Sequence, residues 1–256
     1  MSRNYELLRQ AQRNIPGAAP DSPTPLLTVV SPRPTRNTNL PPAAGIDVDR
    51  ITREESLKLV QSLFLLNGAP HRMVLFAGVD SRSGCSLLCV GAADTLAHNT
   101  SGSVCLVDAN FRAPSLPEAF GTTNHYGLAD SLRNEGPVRH FAKPLLPRNL
   151  WLLSCGSAAN ESAALLNSER MKSRITELRN EFDYVLLDAP PLSTYADAVA
   201  LGQLADGVVL VLEANSTKRE AAVRVVENLR AANVNILGAV FNKRTFPIPE
   251  SLYQLL

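Results

Sequence analysis

Residues 73–98 read MVLFAGVDSRSGCSLLCVGAADTLAH, and this stretch decides the fold class. An apolar run, Met73–Ala77, leads into a turn and then into an apolar pattern of helical spacing over Ser86–His98. The run predicts a strand buried on both faces, and the pattern after it predicts a helix. A strand, a turn carrying Gly78 and Gly84, and a helix that begins near a serine are the parts of a phosphate-binding loop, or P-loop, whose backbone amides point at the ligand.

The alternation of strand and helix continues along the chain. Further apolar runs predict strands at Val104–Val107, Trp151–Ser154, Tyr184–Leu187, Val208–Leu212 and Ile236–Phe241. Further helices are predicted at Ser168–Phe182, at Thr217–Ala232 and from Thr52 onward, and both threonines open capping-box sequences. This alternation predicts an α/β fold with a doubly wound, mostly parallel sheet, in a three-layer sandwich like that of the P-loop NTPases.

The composition favours one large domain preceded by an arm. Of the 256 residues, 45% are hydrophobic, which is enough for a substantial core. Eight of the 18 prolines precede residue 43, in a polar stretch that cannot bury enough apolar area to offset its ordering entropy. Residues 1–50 are therefore predicted to be a flexible, Pro-rich N-terminal arm, and residues 51–256 the folded domain.

Charge and cysteine content exclude several function classes. The formal net charge is +1, which gives no field to recruit nucleic acid or an anionic membrane, and no basic-aromatic patch supports nucleic-acid binding. The four cysteines have neither disulfide nor metal-site spacing, so buried, reduced thiols are predicted. The sequence has no apolar stretch of membrane-spanning length and no signal-peptide core, so we expect a soluble, cytoplasmic protein.

The P-loop carries the candidate nucleotide-binding residues. Gly78, Ser83, Gly84, Cys85 and Ser86 are predicted to line the phosphates, with the Ser86 hydroxyl as an Mg²⁺ ligand. A P-loop normally has lysine immediately before this serine, and here the position holds cysteine. Taken alone, the match would be no better than an ordinary strand-turn-helix connection.

Two further strand ends strengthen the assignment. Asp108 and Asp188 each end an apolar strand, and an aspartate in that place beside a P-loop holds Mg²⁺ or orients a nucleophile. Both are candidate metal ligands together with Ser86 and, if the protein is active, the candidate catalytic carboxylates. A lone aspartate here is often only a turn residue, but three such strand ends in order are hard to attribute to chance.

These motifs resemble the cytoplasmic bacterial tyrosine kinases of capsule and exopolysaccharide synthesis, relatives of the Min and Par partition ATPases. Asp108, Asn110 and Arg112 occupy the places of that family's Asp-x-Asp-x-Arg motif, and Asp188 ends a strand similar to its Walker B strand. The resemblance extends from the helix before the P-loop to the end of the last strand. It implies a P-loop kinase-like domain and that Asn242, after the last strand, contacts the adenine.

Four departures from the family all indicate a loss of kinase function. Cys85 replaces the phosphate-binding lysine of the Walker A motif, and Asn110 replaces the second aspartate of the Asp-x-Asp-x-Arg motif. Lys58 and Gln61 stand where the ring-forming helix of the family has two arginines. The family's tyrosine-rich C-terminal tail, which accepts phosphate, is reduced here to Tyr253.

The missing lysine predicts weakened Mg-ATP binding. A hydrogen bond to a charged group contributes about 1.5–3 kcal/mol, so its loss weakens binding roughly ten- to hundredfold. One lost donor to the transition state costs about 10²–10³ in rate. Arg82 precedes Gly84 and does not follow the lysine's approach, while Lys243 and Arg244 are interpreted as a solvated face. Cys85, if exposed at the helix N-terminus, would have a lowered pKa and be redox-sensitive.

The preferred hypothesis is a catalytically degenerate kinase, a pseudokinase, that acts as regulator or scaffold in exopolysaccharide biosynthesis. The alternatives are an active ATP-dependent tyrosine autokinase or ATPase and, less favoured, a partition-type ATPase. The resemblance implies a membrane-embedded polysaccharide chain-length (copolymerase) protein as partner, which could recruit the chain to the inner face of the membrane. An active kinase paralogue is a second candidate partner. A monomer or weak homo-oligomer is predicted, because Lys58 cannot reproduce the bidentate fork of arginine.

Overall fold

The structure, a computed structural model, describes residues 26–29, 48–65, 71–145, 149–157, 165–166 and 168–243. The strands of this part of the chain are β1 (Leu26–Val29), β2 (Met73–Gly78), β3 (Val104–Asp108), β4 (Lys143–Pro144), β5 (Leu150–Leu153), β6 (Tyr184–Ala189), β7 (Gly207–Glu213) and β8 (Ile236–Asn242). They form one sheet in the order β1-β8-β7-β2-β6-β3-β5-β4. Every pair is parallel except β4 with β5, which confirms the predicted mostly parallel sheet.

Helices cover both faces of the sheet. They are α1 (Val48–Val60), continued by a π-helical turn (Gln61–Leu65), then α2 (Cys85–Asn99), α3 (Leu116–Ala119), α4 (Leu128–Arg133), α5 (Glu169–Glu181), α6 (Asp197–Gly202) and α7 (Arg219–Ala231), with a 3₁₀ turn at Val138–Phe141. None of the helices in the described ranges has the length and hydropathy needed to cross a bilayer.

The core is divided into two apolar layers by the sheet. Val74 and Phe76 of β2 pack into the layer that holds buried residues of α1 and α2. Met73 and Leu75 pack into the opposite layer, with α5, α6 and α7. Successive side chains of a strand point to opposite faces, so a strand covered on both faces must be apolar throughout. This explains why the uninterrupted apolar runs located the central strands to within one or two residues.

Helix starts were predicted less well. Helix α1 begins at Val48, so Thr52 lies inside it and the predicted capping box is wrong. Helix α7 begins at Arg219, and the Thr217 hydroxyl instead accepts a hydrogen bond of 3.0 Å from the backbone N–H of Glu213. A threonine hydroxyl can satisfy a nearby loop amide as well as a helix end, and the sequence does not show which it does.

The N-terminal arm contributes one described strand. Leu26–Val29 pairs in parallel with the last strand, β8, and places β1 at an edge of the sheet. These four residues are therefore paired in the sheet, and the prediction of an arm over residues 1–50 included no such pairing. The remainder of residues 1–47, and the calls on Arg244 and Tyr253, lie outside the described residues. The boundary between arm and domain stays a prediction.

Candidate functional site

The P-loop, residues 78–86, connects the end of β2 to the start of α2 and borders a pocket of about 170 Å³. The pocket lining is Gly78, Asp80, Arg82, Ser83, Gly84, Cys85, Ser86, Leu87, Asn110, Ala189 and Pro191. Small-molecule pockets usually measure about 300–1,000 Å³, so this one is smaller than the usual site for a whole small molecule. Five of the six predicted nucleotide-binding residues line it, and Asn242 does not.

Gly84 is required by the shape of the loop. It precedes the first residue of α2 and has φ +79°, in the left-handed region that side chains disfavour. A Cβ atom at this position would also come within 2.4 Å of Nδ2 of Asn242. Because the glycine turns the chain there, the first amides of α2 are presented at the pocket without intrahelical partners, as phosphate binding requires.

Cys85 occupies the lysine position as a buried, neutral group. Burial raises the pKa of its thiol well above the ordinary value, and the nearby Asp188 carboxyl raises it further. A lowered pKa was predicted only for an exposed thiol; Cys85 is buried, so that condition is not met, and desolvation raises the pKa instead. The other three cysteines are also buried and free, which confirms the prediction of reduced structural thiols.

Asp108 and Asp188 lie side by side at the ends of β3 and β6, where their Cα atoms are register partners. Both are fully buried. Asp108 accepts hydrogen bonds from the backbone N–H groups of Asn110 (3.2 Å), Ser115 (3.1 Å) and Leu116 (3.1 Å). Burial nevertheless raises the pKa of Asp108 to about 6, because it outweighs these three donors.

Asp188 is the less compensated of the two carboxyls. Among the described residues, neither of its oxygens has a partner in hydrogen-bonding geometry, although the Ser86 hydroxyl and the Cys85 thiol are near enough to lower its pKa partly. Burial is the larger effect and raises the pKa of Asp188 to about 7, with the charge of Asp108 adding to it. A buried carboxylate without partners is costly, so the pair calls for a cation.

The residues of this site fit Mg²⁺ bound with a nucleotide phosphate, except that Cys85 stands where a P-loop has its phosphate-binding lysine. Ser86 lines the pocket, whereas Asp108 and Asp188 are fully buried at the ends of β3 and β6 and do not line it. All three are oxygen donors, the kind of ligand that Mg²⁺ takes together with substrate phosphates. Within the described part of the chain, no cluster of three histidine, cysteine or acidic residues forms a metal site of its own. A cation here would therefore depend on the phosphates for several of its ligands.

The two polar residues that follow β3, Asn110 and Arg112, have different partners. Asn110 lines the pocket, and its Oδ1 accepts a hydrogen bond of 3.2 Å from the N–H of Ala113, which fixes the turn. Arg112 is directed to α6 instead, where its Nε donates to Asp197 over 2.9 Å and its guanidinium lies 4.9 Å from the centre of the Tyr195 ring. The sequence analysis missed Asp197 and Tyr195, because no local pattern marks residues so distant in the chain as partners of Arg112, and Asp197 is 85 positions away.

Asn242 and Lys243 lie against the outside of the P-loop. The Asn242 side chain is buried, and its Nδ2 donates to the Ser83 carbonyl over 2.9 Å. Lys243 donates to the Arg82 carbonyl and lies 3.4 Å from a carboxylate oxygen of Glu213. Lys243 was interpreted as part of a solvated face; its side chain is 38% exposed, and two polar partners hold its ammonium against the P-loop. The adenine contact of Asn242 stays a prediction.

Comparison with known proteins agrees with this geometry. A family model described as ParA, an NUBPL iron-transfer P-loop NTPase, matches residues 81–254. The chain belongs to the ParA-type P-loop NTPases. Its relatives within this family are bacterial tyrosine-protein kinases of capsule and exopolysaccharide biosynthesis, which confirms the resemblance found in the sequence.

Two of these relatives and one solved structure illustrate the similarity. This ParA-type chain is 34% identical over 139 residues to the tyrosine-protein kinase YwqD of Bacillus subtilis (strain 168), covering 54% of this chain and 59% of YwqD. It is 25% identical over 209 residues to the putative tyrosine-protein kinase CapB of Staphylococcus aureus, covering 81% of this chain and 91% of CapB. The kinase domain of the Escherichia coli tyrosine kinase ETK superimposes with a TM-score of 0.74 at 19% identity, over 87% of this chain and 92% of that domain, which shows the shared fold.

Proposed function

We propose that this chain is a degenerate tyrosine-kinase-like protein that binds Mg-nucleotide weakly and acts as regulator or scaffold in exopolysaccharide biosynthesis. The observation that carries the proposal is the buried, neutral Cys85 at the place of the P-loop lysine. Phosphoryl transfer depends on positioning and on positive charge around the transferring group. A thiol has neither the charge nor the length of the lysine side chain. Because phosphoryl transfer depends on that positive charge, we expect the substitution to slow phosphoryl transfer more than it weakens nucleotide binding.

The remaining site supports binding. The amides at the start of α2 and the Ser83–Ser86 segment would cradle phosphate, while Ser86, Asp108 and Asp188 would hold the cation. Mg²⁺, when bound, neutralises charge on the phosphates. Loss of the proton that Asp188 keeps at a pKa of about 7 accompanies cation binding, so we expect affinity for Mg-nucleotide to rise between about pH 6 and pH 8.

The partner is inferred from the relatives. Proteins of this group include the succinoglycan biosynthesis transport protein ExoP of Rhizobium meliloti, of which this chain spans 23%. We propose a separate membrane-embedded copolymerase partner that holds the chain at the inner face of the membrane, and a monomer or weak homo-oligomer in its absence. The weak self-association is supported by Lys58, whose Nζ lies 2.7 Å from Glu55 of the same helix. A lysine also lacks the bidentate fork of the arginine that the ring-forming kinases have at this place.

A second candidate function is an active tyrosine kinase or ATPase. It is favoured by the intact carboxylate pair, because Asp108 with a pKa of about 6 is suited to accept a proton near neutral pH. It is opposed by the same Cys85. The two functions make different predictions for restoring the lysine.

Calorimetric titration with Mg-ATP and Mg-ADP tests the proposal, together with phosphate release and tyrosine autophosphorylation on the same samples. The variants are Cys85→Lys, which restores the cation, and Cys85→Ser, a neutral control. We expect weak binding and no turnover for the natural protein and for Cys85→Ser, and binding roughly ten- to hundredfold tighter for Cys85→Lys. Rapid turnover by the natural protein would refute the degenerate kinase. No binding up to millimolar nucleotide would refute the nucleotide site and leave a scaffold alone.

A further inference from the structure

Two consecutive residues at the end of β8 hold two consecutive carbonyls of the P-loop. Asn242 donates through Nδ2 to the Ser83 carbonyl over 2.9 Å, and the Lys243 ammonium donates to the Arg82 carbonyl. The partners are 159 and 161 residues apart in the chain. We call Asn242 and Lys243 the β8 clamp. The strand that carries them is separated from β2 by β7, so the clamp reaches across the end of an intervening strand.

The strand between them supports the clamp. Glu213, the last residue of β7, lies 3.4 Å from the Lys243 ammonium, and the N–H of Ala214 donates to the Asn242 carbonyl over 2.8 Å. Lys243 itself has φ +55°, an uncommon conformation for a residue with a side chain. Such a conformation is retained where the surroundings fix it. The ammonium is therefore held by two oxygens, one on β7 and one on the P-loop.

The clamp bears on the orientation of the P-loop amides. In a peptide unit the N–H and C=O point in opposite directions, so amides that face a phosphate require carbonyls that face away from it. The carbonyls of Arg82 and Ser83 accept hydrogen bonds from the clamp, whose two residues do not line the pocket. Each carbonyl belongs to the same peptide unit as the N–H of the next residue, Ser83 and Gly84, so we infer that these two N–H groups are directed toward the pocket. Arg82 has φ 66°, a conformation that is uncommon for a residue with a side chain and is retained where the surroundings fix it.

We propose that Asn242 and Lys243 are positioning residues that hold the P-loop amides in their phosphate-binding arrangement, and that they act on the polyphosphate part of a ligand rather than on its base. The inference rests on the proposed nucleotide site and assigns these residues a role there. It replaces the adenine contact predicted for Asn242, whose amide is committed to Ser83 and which does not line the pocket. In a P-loop without its lysine, fixed amides carry a larger share of phosphate recognition.

Proteolysis tests the clamp without any ligand. An arginine-specific protease cuts the Arg82–Ser83 bond, whose carbonyl is the one that Lys243 holds, and Arg82 is exposed. Cleavage in native conditions follows local opening of the bond. We expect Lys243→Met to release the fragment that begins at Ser83 about tenfold faster than the natural protein, since one charge-assisted hydrogen bond is lost. Lys243→Arg, which keeps a donor, should restore the natural rate.

Lys172→Met is the matched control, because Lys172 is likewise a lysine paired with a carboxylate, but it lies on α5. It should leave cleavage after Arg82 unchanged. If neither Lys243→Met nor the isosteric Asn242→Asp, which cannot donate to the Ser83 carbonyl, speeds this cleavage, the clamp does not hold the loop and the inference is overturned. Thermal unfolding of each variant separates a local effect from loss of the fold.

Binding of inorganic tripolyphosphate separates the positioning role from a base contact. With Mg²⁺ present, Lys243→Met and Asn242→Asp should weaken tripolyphosphate and ATP by the same factor, about tenfold for each variant. Weakened ATP binding with unchanged tripolyphosphate binding would mean that Asn242 reads the base, and would overturn the inference. If the natural protein binds neither compound, the proposed nucleotide site is overturned, and the proteolysis alone decides whether the clamp exists.

Discussion

The buried carboxyl of Asp188 predicts an unusual dependence of stability on pH. Its pKa is about 7 in the folded protein against an ordinary value of 3.8. Between these values the folded chain keeps a proton that the unfolded chain releases. The folded state then binds more protons, so the free energy of unfolding falls as pH rises from about 4 to about 7 and levels off above that.

The magnitude follows from the two pKa values. The whole difference corresponds to on the order of 4 kcal/mol, of which on the order of 2–3 kcal/mol falls between about pH 5 and pH 8. Asp188→Asn removes the titration and keeps the shape. We therefore expect the natural protein to lose on the order of 2–3 kcal/mol more stability than Asp188→Asn over that interval. The amide brings a burial cost of its own, but that cost is the same at both pH values.

Urea unfolding at about pH 5 and pH 8 measures the difference, without nucleotide or Mg²⁺. Asp183→Asn is the control: Asp183 directly precedes β6, and hydrogen bonds from Ser103 lower its pKa. A lowered pKa contributes stability that is fully present above about pH 4, so this variant should be uniformly less stable and should follow the pH course of the natural protein. If Asp188→Asn also follows that course, the carboxyl is not a buried titrating group and the reasoning fails.

Three further predictions concern the loop, a buried arginine and the thiols. Gly84→Ala should cost about 1–3 kcal/mol of stability and abolish nucleotide binding in calorimetry, whereas Gly136→Ala, also at positive φ but with open space around it, should keep binding. Arg174→Met should cost about 2–4 kcal/mol in urea unfolding because it strips partners from three backbone carbonyls and a carboxylate, and exposed Arg170→Met should cost far less. The buried thiols, Cys85 included, should react with a disulfide reagent only as fast as the protein opens, and a rapidly reacting thiol in the native protein would contradict the structure.

Local sequence determined the fold class. The central strands are buried on both faces, so each appears as an uninterrupted apolar run. Helix α2 follows β2 after one short loop. These signals need no knowledge of distant residues. The edge strands were not predicted: β1 is only four residues long and lies within a polar, Pro-rich stretch, and β4 is two residues long and exposed. Runs as short as these do not by themselves indicate a strand.

Part of the candidate site was also predictable. Parallel strands bring their carboxyl ends to one edge of the sheet, so Asp108 and Asp188 could be expected beside the P-loop once the strands were known. Gly84 was expected to line the site because a P-loop needs a glycine-containing turn with its amides pointing inward. The replacement of lysine by Cys85 is visible in the sequence alone, and it remains the strongest observation on function.

Only the tertiary structure decided the state of these groups. Cys85 sits at a helix N-terminus, which by itself lowers a thiol pKa, yet packing against Asp188 and the core reverses the direction. Lys243 reads as a solvated lysine, but the order of β8, β7 and β2 in the sheet places it on the P-loop. Desolvation, and contacts between residues 159 and 161 positions apart, depend on how the helices and strands pack. The periodicity of a strand or helix depends on near neighbours in the chain. The local sequence therefore determined the strands and helices, and tertiary packing determined the protonation and the partners of the site residues.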